Sequence, residues 1–252
     1  MNQRDSTKLP WRVRFLHNLA RFGLRLLTRT EVHGAENIPS SGITMMIMNH
    51  LHWLDPVIGV AIVERPAVMF TADKWEHRPV IGDIIRWSQR AIFVARGEPD
   101  RQALAQAIDV LNRGDVLAVA PEGTRSKTGA LQQARDGAAY LASRTGATIV
   151  PVTAYGQELA ERRWKRLRRP HIVVTVGEPF HLDGTPNKAR GQQRALYTEE
   201  MMQRLAHMLP PQYRGVYGDN GAEEHRSGVE ALVGSRASNT AEALTPDSNK
   251  AI

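Results

Sequence analysis

Residues 49–55 read NHLHWLD and follow directly on the apolar run ITMMIM. Three chemistries are open to two histidines and an aspartate at such a place: metal ligation, general-base catalysis, or plain surface decoration. The step of five from His50 to Asp55 does not align on one helical face, where three or four would. It does work if His50 lies in a loop and Asp55 in the turn that follows. The carboxylate can then fold back onto one imidazole nitrogen, fix the tautomer and leave the other nitrogen free as a base. On spacing alone a structural or accidental pair is the plainer reading, and His52 reads as an incidental neighbour. A zinc site needs further ligands, and the chain has neither cysteine nor an H-E-x-x-H pattern to supply them.

A second constellation is PEGTRS, which holds Glu122, Gly123, Thr124 and Arg125 at the end of the apolar run DVLAVA. Glycine permits close backbone approach. Free N–H groups with an arginine suit a phosphate oxyanion, which a guanidinium grips with two parallel bonds. An ordinary turn with a surface ion pair is the plainer alternative. A third run, AIFVAR, ends in Arg96. In open α/β sheets ligands bind beyond the carboxyl ends of strands, so three strand ends bearing His, Asp, Glu and Arg form one candidate site.

Taken together, the blocks carry more than any of them alone. Asn49-His50 with Asp55, then Phe93 and Arg96, then Glu122-Gly123-Thr124-Arg125, then IVPV with Pro151, follow in that order over about a hundred residues. This order resembles the glycerolipid acyltransferase family, typified by the lysophosphatidate acyltransferases. The family blocks read N-H-x-x-x-x-D, G-x-x-F-x-x-R, E-G-T-R and an apolar strand with a central proline. The first and third are matched in full, over a likeness spanning roughly residues 31–182. Arg90 replaces the glycine of the second block, and His52 stands where many members carry serine.

The resemblance implies an enzyme that moves a fatty acyl group from acyl-CoA or acyl carrier protein to the hydroxyl of a lysophospholipid. The first acceptor to consider is 1-acyl-glycerol-3-phosphate, in phospholipid biosynthesis. It implies direct transfer without an acyl-enzyme, and no cofactor or metal. His50 would be the base and Asp55 its orienter. Arg96, Arg125 and Lys74 would hold the acceptor phosphate. Glu122 would orient Arg125 or its loop, or contact an acceptor hydroxyl. Gly123, Thr124, Phe93 and Pro151 complete the implied substrate-binding set. Another lysolipid acceptor, or a non-catalytic lipid-binding protein on the same fold, are the alternatives.

These residues need strands to carry them. GITMMIMN, AVMFTAD, AIFVAR, DVLAVAPEG, ATIVPVTAYG and HIVVTVGEPF read as strands. Helical patterns fall between them in DPVIGVAIVE, PVIGDIIRWS, PDRQALAQAIDVLNRG and ARDGAAYLASRTG, and ARGQQRALYTEEMMQRLAHML closes the series. Asp100 reads as an N-cap, with Gly114 and Gly146 as helix stops. Such alternation predicts an α/β fold with a mixed, largely parallel sheet covered by helices. Apolar strands without alternation fit burial on both faces.

The expected organisation is an amphipathic segment at 1–30, an acyltransferase domain at 31–217 and a disordered tail at 218–252. In residues 11–28, Trp11, Phe15, Leu19, Phe22 and Leu26 form one apolar stripe, with Arg14, Arg21 and Arg25 expected opposite. Such a helix can pack on the domain, enter a lipid interface, or do both.

Composition sets the remaining bounds. The net charge is +7; from Gly218 onward three Arg/Lys meet six Asp/Glu, a net −3, so the part before it carries +10. A basic body fits an anionic partner. The run ERRWKRLRRP places six Arg/Lys within 162–169 and reads as a solvated loop or an anionic-lipid contact. Nucleic acid is set aside because it leaves the His–Asp and E-G-T-R blocks unexplained. No stretch of 18 apolar residues exists, so a peripheral position on the cytoplasmic face of a membrane is expected.

Overall fold

The structure is a computed structural model that describes residues 11–88, 90–94, 100–186 and 189–218. The expected tail, apart from Gly218, and the start of the expected N-terminal segment lie outside these residues, as does Arg96.

Among the described residues there are seven strands: β1 (Arg29–His33), β2 (Thr44–Met48), β3 (Ala67–Ala72), β4 (Ala91–Val94), β5 (Val116–Val119), β6 (Thr148–Tyr155) and β7 (His171–Val176). They form one sheet in the order β1-β7-β6-β2-β5-β3-β4. All neighbours are parallel except β6 and β7, so β1 and β7 run against the other five. The mixed, largely parallel α/β sheet expected from the sequence is thus present.

The helices are α1 (Trp11–Leu27), α2 (Asp55–Ile62), α3 (Ile81–Ser88), α4 (Arg101–Asn112), α5 (Gly137–Thr145), α6 (Ala160–Trp164) and α7 (Gln192–Met208). Strand β2 shows why its run is wholly apolar. Met45 and Ile47 enter a core with α4, α5 and α7, while Met46 and Met48 enter the core with α1 and α2. Full burial of each such side chain contributes roughly 1.5–3 kcal/mol, so a solvated face on β2 would lose much of the core. The helix boundaries follow the capping chemistry. The Asp100 carboxylate accepts from the Ala103 N–H at 2.9 Å, and Gly146 ends α5 in the left-handed conformation.

Pro151 sits inside β6, a central strand where the missing N–H would normally break a ladder. Here the partner strand departs at that point. The β7 ladder on β6 starts at Val152↔Val176, and an isolated bridge joins Ile149 to Phe180. Between them Gly177 donates to the Pro151 carbonyl at 2.8 Å, and no donor is required of Pro151. A Cβ on Gly177 would come within 2.7 Å of Met208 Sδ and 3.0 Å of Pro151 Cγ, so a side chain there would have to push the Met208 thioether aside.

Helix α1 uses two faces. Val13, His17 and Leu24 are buried against the domain. The Trp11, Phe15, Leu19, Phe22 and Leu26 stripe faces outward, each side chain more than half exposed. The apolar stripe read from the sequence is therefore the outer face, and a narrower second stripe does the packing. Arg21, which the sequence placed opposite that stripe, lies on the domain side, donates to the Ala61 carbonyl at 2.7 Å and caps the end of α2. The basic run was read only as a loop or contact; its first residues form α6.

Candidate active site

Parallel pairing of β6, β2, β5 and β3 brings their carboxyl ends to one edge of the sheet. Strand β2 leaves at Asn49, which is buried. Its side-chain amide donates to the Ala154 carbonyl at 2.8 Å and accepts from the Ala154 N–H at 2.9 Å. The amide thus continues the β2–β6 pairing by one step and fixes where the next residue begins.

The next residue is His50. Its backbone N–H donates to Glu122 Oε1 at 3.0 Å, and its carbonyl accepts from the Ser126 N–H at 2.7 Å. Both backbone groups of His50 are thus held by the loop that follows β5. Its ring Nδ1 lies 2.7 Å from Asp55 Oδ2. An ionised carboxylate only accepts, so Nδ1 carries the hydrogen and Nε2 is left with a lone pair. The His50 side chain is 26% exposed against 5% for Asp55, so the histidine is the accessible partner.

Asp55 is the first residue of α2, with Pro56 next, and the helix N-terminus favours its negative charge. Oδ2 also accepts from the His52 backbone N–H at 2.8 Å. Oδ1 accepts from Gln157 Nε2 at 3.0 Å, and the same Nε2 lies 3.1 Å from the Ala154 carbonyl. Gln157 is fully buried, just past β6 and the left-handed Gly156. The motif reading missed it. The rule that strand ends carry function, applied to TAYGQE at the exit of β6, would have found it.

His52 contributes its backbone rather than its ring. The ring is buried, its Nδ1 accepts from the Leu54 N–H at 3.4 Å, and its Nε2 faces Glu161 at 3.8 Å. Burial holds its pKa below the ordinary histidine value, outweighing the nearby Asp55 and Glu161 carboxylates. The reading of His52 as incidental to the chemistry fits this placement.

Glu122 is buried and points inward. Oε1 accepts from the His50 N–H and Oε2 from the Gln132 N–H at 2.9 Å. Burial pushes its carboxyl above the usual range, against the pull of those two N–H groups. Of the roles open to it, this geometry is that of orienting the loop. Gly123 is left-handed at φ 67°, and a Cβ there would meet the Arg135 side chain at 3.2 Å. Arg135, which the motif reading passed over, therefore lies along the same loop. Thr124 is half-buried. Arg125 is exposed and has no side-chain partner among the described residues.

Lys74 is exposed in the 3-10 turn Asp73–Trp75 after β3, its ammonium 5.6 Å from the Trp75 ring centroid. Phe93 is half-buried on β4, in register with Thr71. Pro151, another of the implied substrate-binding residues, sits in the interior of the sheet. It is buried, in register with Ile47 of β2, rather than facing open space. His50, the Glu122–Arg125 loop and Lys74 thus lie on consecutive strand ends in the order β2, β5, β3.

The pattern of the Acyltransferase family matches residues 29–155. A 1-acyl-sn-glycerol-3-phosphate acyltransferase of Borreliella burgdorferi is 32% identical over 49% of this chain and 50% of its own. The chloroplastic enzyme LPAT1 of Arabidopsis thaliana, of the same name, is 28% identical over 73% of this chain and 54% of its own. The match thus spans about half the length of those two relatives. The Bacillus subtilis enzyme is 23% identical over 76% of this chain and 94% of its own. Among solved structures, PlsC of Thermotoga maritima, a 1-acyl-sn-glycerophosphate acyltransferase, superposes with a TM-score of 0.61 at 21% identity. That superposition covers 78% of this chain and 79% of PlsC, a likeness of fold.

Proposed function

The chain belongs to the Acyltransferase family, and from that premise we propose that it is an O-acyltransferase acting on a lysophospholipid. The acceptor is 1-acyl-sn-glycerol-3-phosphate and the donor a fatty acyl thioester, acyl-CoA or acyl carrier protein. The observation that carries the reading is the 2.7 Å His50–Asp55 contact at the exit of β2. It joins an accessible imidazole to a carboxylate held by three donors.

His50 Nε2 takes the proton of the acceptor hydroxyl as the oxygen attacks the thioester carbonyl. Asp55 stabilises the imidazolium that forms. The C–O bond forms, the C–S bond breaks, and the proton passes from His50 to the leaving thiolate. Such a base typically contributes about 10²–10⁴-fold. Arg125 and Lys74, with Arg96, meet the acceptor phosphate, and backbone N–H groups near the motif loops take the oxyanion. No resident cofactor is required. A screen of lysolipid acceptors against both donors tests the reading. Transfer to a lysophosphatidate from at least one donor is expected, and binding without any transfer would favour a lipid-binding protein instead.

Gln157 is a positioning residue for Asp55. Gln157→Met keeps the volume and removes the donor, and is expected to lower kcat about tenfold with acceptor KM little changed. In an Asp55→Ala background the same change should cost nothing further, because its effect runs through that carboxylate. Additive losses in the double variant would assign Gln157 a merely structural part.

A lysolipid acceptor resides in a bilayer, and α1 supports a peripheral position there. Among the described residues no helix is long and apolar enough to cross a membrane. Deleting residues 1–30 would also remove the buried Val13, His17 and Leu24, so substitutions on the outer stripe are the cleaner test. Leu19→Ser with Phe22→Ser, both on the outer stripe, should reduce sedimentation with anionic liposomes at least about tenfold and leave the melting temperature nearly unchanged. High salt should release part of the wild type, since screening weakens its basic contacts. Equal liposome binding by both proteins would remove α1 from the interface.

A further inference from the structure

An apolar path connects the outer face of α1 to the catalytic turn. At the end of α1, Leu26 and Leu27 are 61% and 51% exposed. The Leu27 carbonyl accepts from the Trp164 indole N–H at 2.8 Å. The Trp164 ring lies 6.1 Å from that of Trp53, centroid to centroid. Trp53 stands 45% exposed between His50 and Asp55 in the sequence, its ring 5.3 Å from that of His52. Beyond Trp164 the chain turns through Leu167, a left-handed residue at φ 54° that is 98% exposed. The Arg168 N–H donates to the Arg163 carbonyl at 3.0 Å and the Leu167 N–H to the Trp164 carbonyl at 2.8 Å, which makes Leu167 the left-handed cap at the tip of α6. The cap accounts for its backbone but does not require a leucine held in solvent among six Arg/Lys. The Arg169 guanidinium bonds to the Arg25 and Thr28 carbonyls, tying that tip to the end of α1.

We propose that Trp53 and Trp164 form a ledge seated in the headgroup layer of an anionic bilayer, over which the lipid acceptor passes laterally from the membrane to His50. The inference rests on the acyl-transfer reading and names where its substrate arrives. Tryptophan favours this layer because its ring is apolar and its N–H polar. Leucine at the tip supplies a shallow apolar contact, and the surrounding arginines and lysines meet lipid phosphates. The path places the acceptor's glycerol hydroxyl beside the dyad while its acyl chain stays in lipid.

Because the chain lacks cysteine, a single introduced thiol carries a single dye. Leu167→Cys bearing an environment-sensitive fluorophore should shift to the blue on vesicles containing phosphatidylglycerol. His207→Cys, exposed on α7 in the opposite helix layer, should not. Trp53→Ala should raise KM about fivefold for lysophosphatidate presented in vesicles. Its kcat/KM for a short-chain acceptor dissolved in buffer should change less than about twofold. A shift from a dye at Phe22→Cys but none at Leu167→Cys would overturn the ledge. So would equal losses by Trp53→Ala on both acceptors, which would place Trp53 in the chemistry. If the wild type transferred to neither acceptor, the acyl-transfer reading would fail, while the dye experiment would still decide where the bilayer sits.

Discussion

His50→Ala is expected to lower kcat for acyl transfer by about 10²–10⁴-fold while the protein keeps its circular dichroism and melting temperature. The side chain is partly exposed, and the backbone bonds to Glu122 and Ser126 survive the substitution. His52→Ala is the informative partner. It removes a buried ring and should lower stability, but the His52 N–H that holds Asp55 is retained. Most activity should therefore remain. Initial rates for the two variants, each normalised to folded protein, decide the matter. An active His50→Ala with a dead His52→Ala would reverse the assignment of the base.

Arg125→Ala carries the second largest effect. Ser126, its neighbour in the chain, is bonded to the His50 carbonyl, so the backbone of Arg125 is fixed close to the catalytic turn while its guanidinium has no hydrogen-bond or ion-pair partner among the described residues. Loss of one hydrogen bond to a phosphate corresponds to roughly 1.5–3 kcal/mol, or about 10–150-fold. That loss should appear in kcat/KM for the acceptor, with donor KM nearly constant. The same measurement on Arg135→Ala asks whether the second arginine along this loop shares the phosphate. An acceptor dependence unchanged in Arg125→Ala would take the phosphate away from this loop.

What the sequence makes legible follows from the range of the interactions. The strands could be read because β2 has to be apolar on both faces, and the caps at Asp100 and Gly146 are local chemistry. The His50–Asp55 contact spans five residues, so its geometry could be argued before any fold was known. Gln157 reaches Asp55 across 102 residues, a meeting set by the register of β2 on β6, and no motif announces it. Glu122 was visible as a charged residue, but its inward turn depends on the His50 and Gln132 amides that surround it. The composition of α1 offers two stripes, and only the packed domain decides that Val13, His17 and Leu24 face inward. Helix α6 was hidden by its arginines, which give no apolar period. Pro151 marks its strand correctly, yet its place inside the sheet depends on where β7 leaves β6.

The central claim is direct, base-assisted transfer from a thioester to a lysolipid hydroxyl at His50. The most direct measurement follows radiolabelled acyl thioester and free thiol together in one reaction with the purified full chain and 1-acyl-sn-glycerol-3-phosphate. The account predicts thiol release that depends on acceptor, label appearing in the diacyl product in equal amount, no label on the protein, and loss of both signals in His50→Ala. Thiol release without acceptor, label retained on the chain, or full transfer by His50→Ala would contradict it.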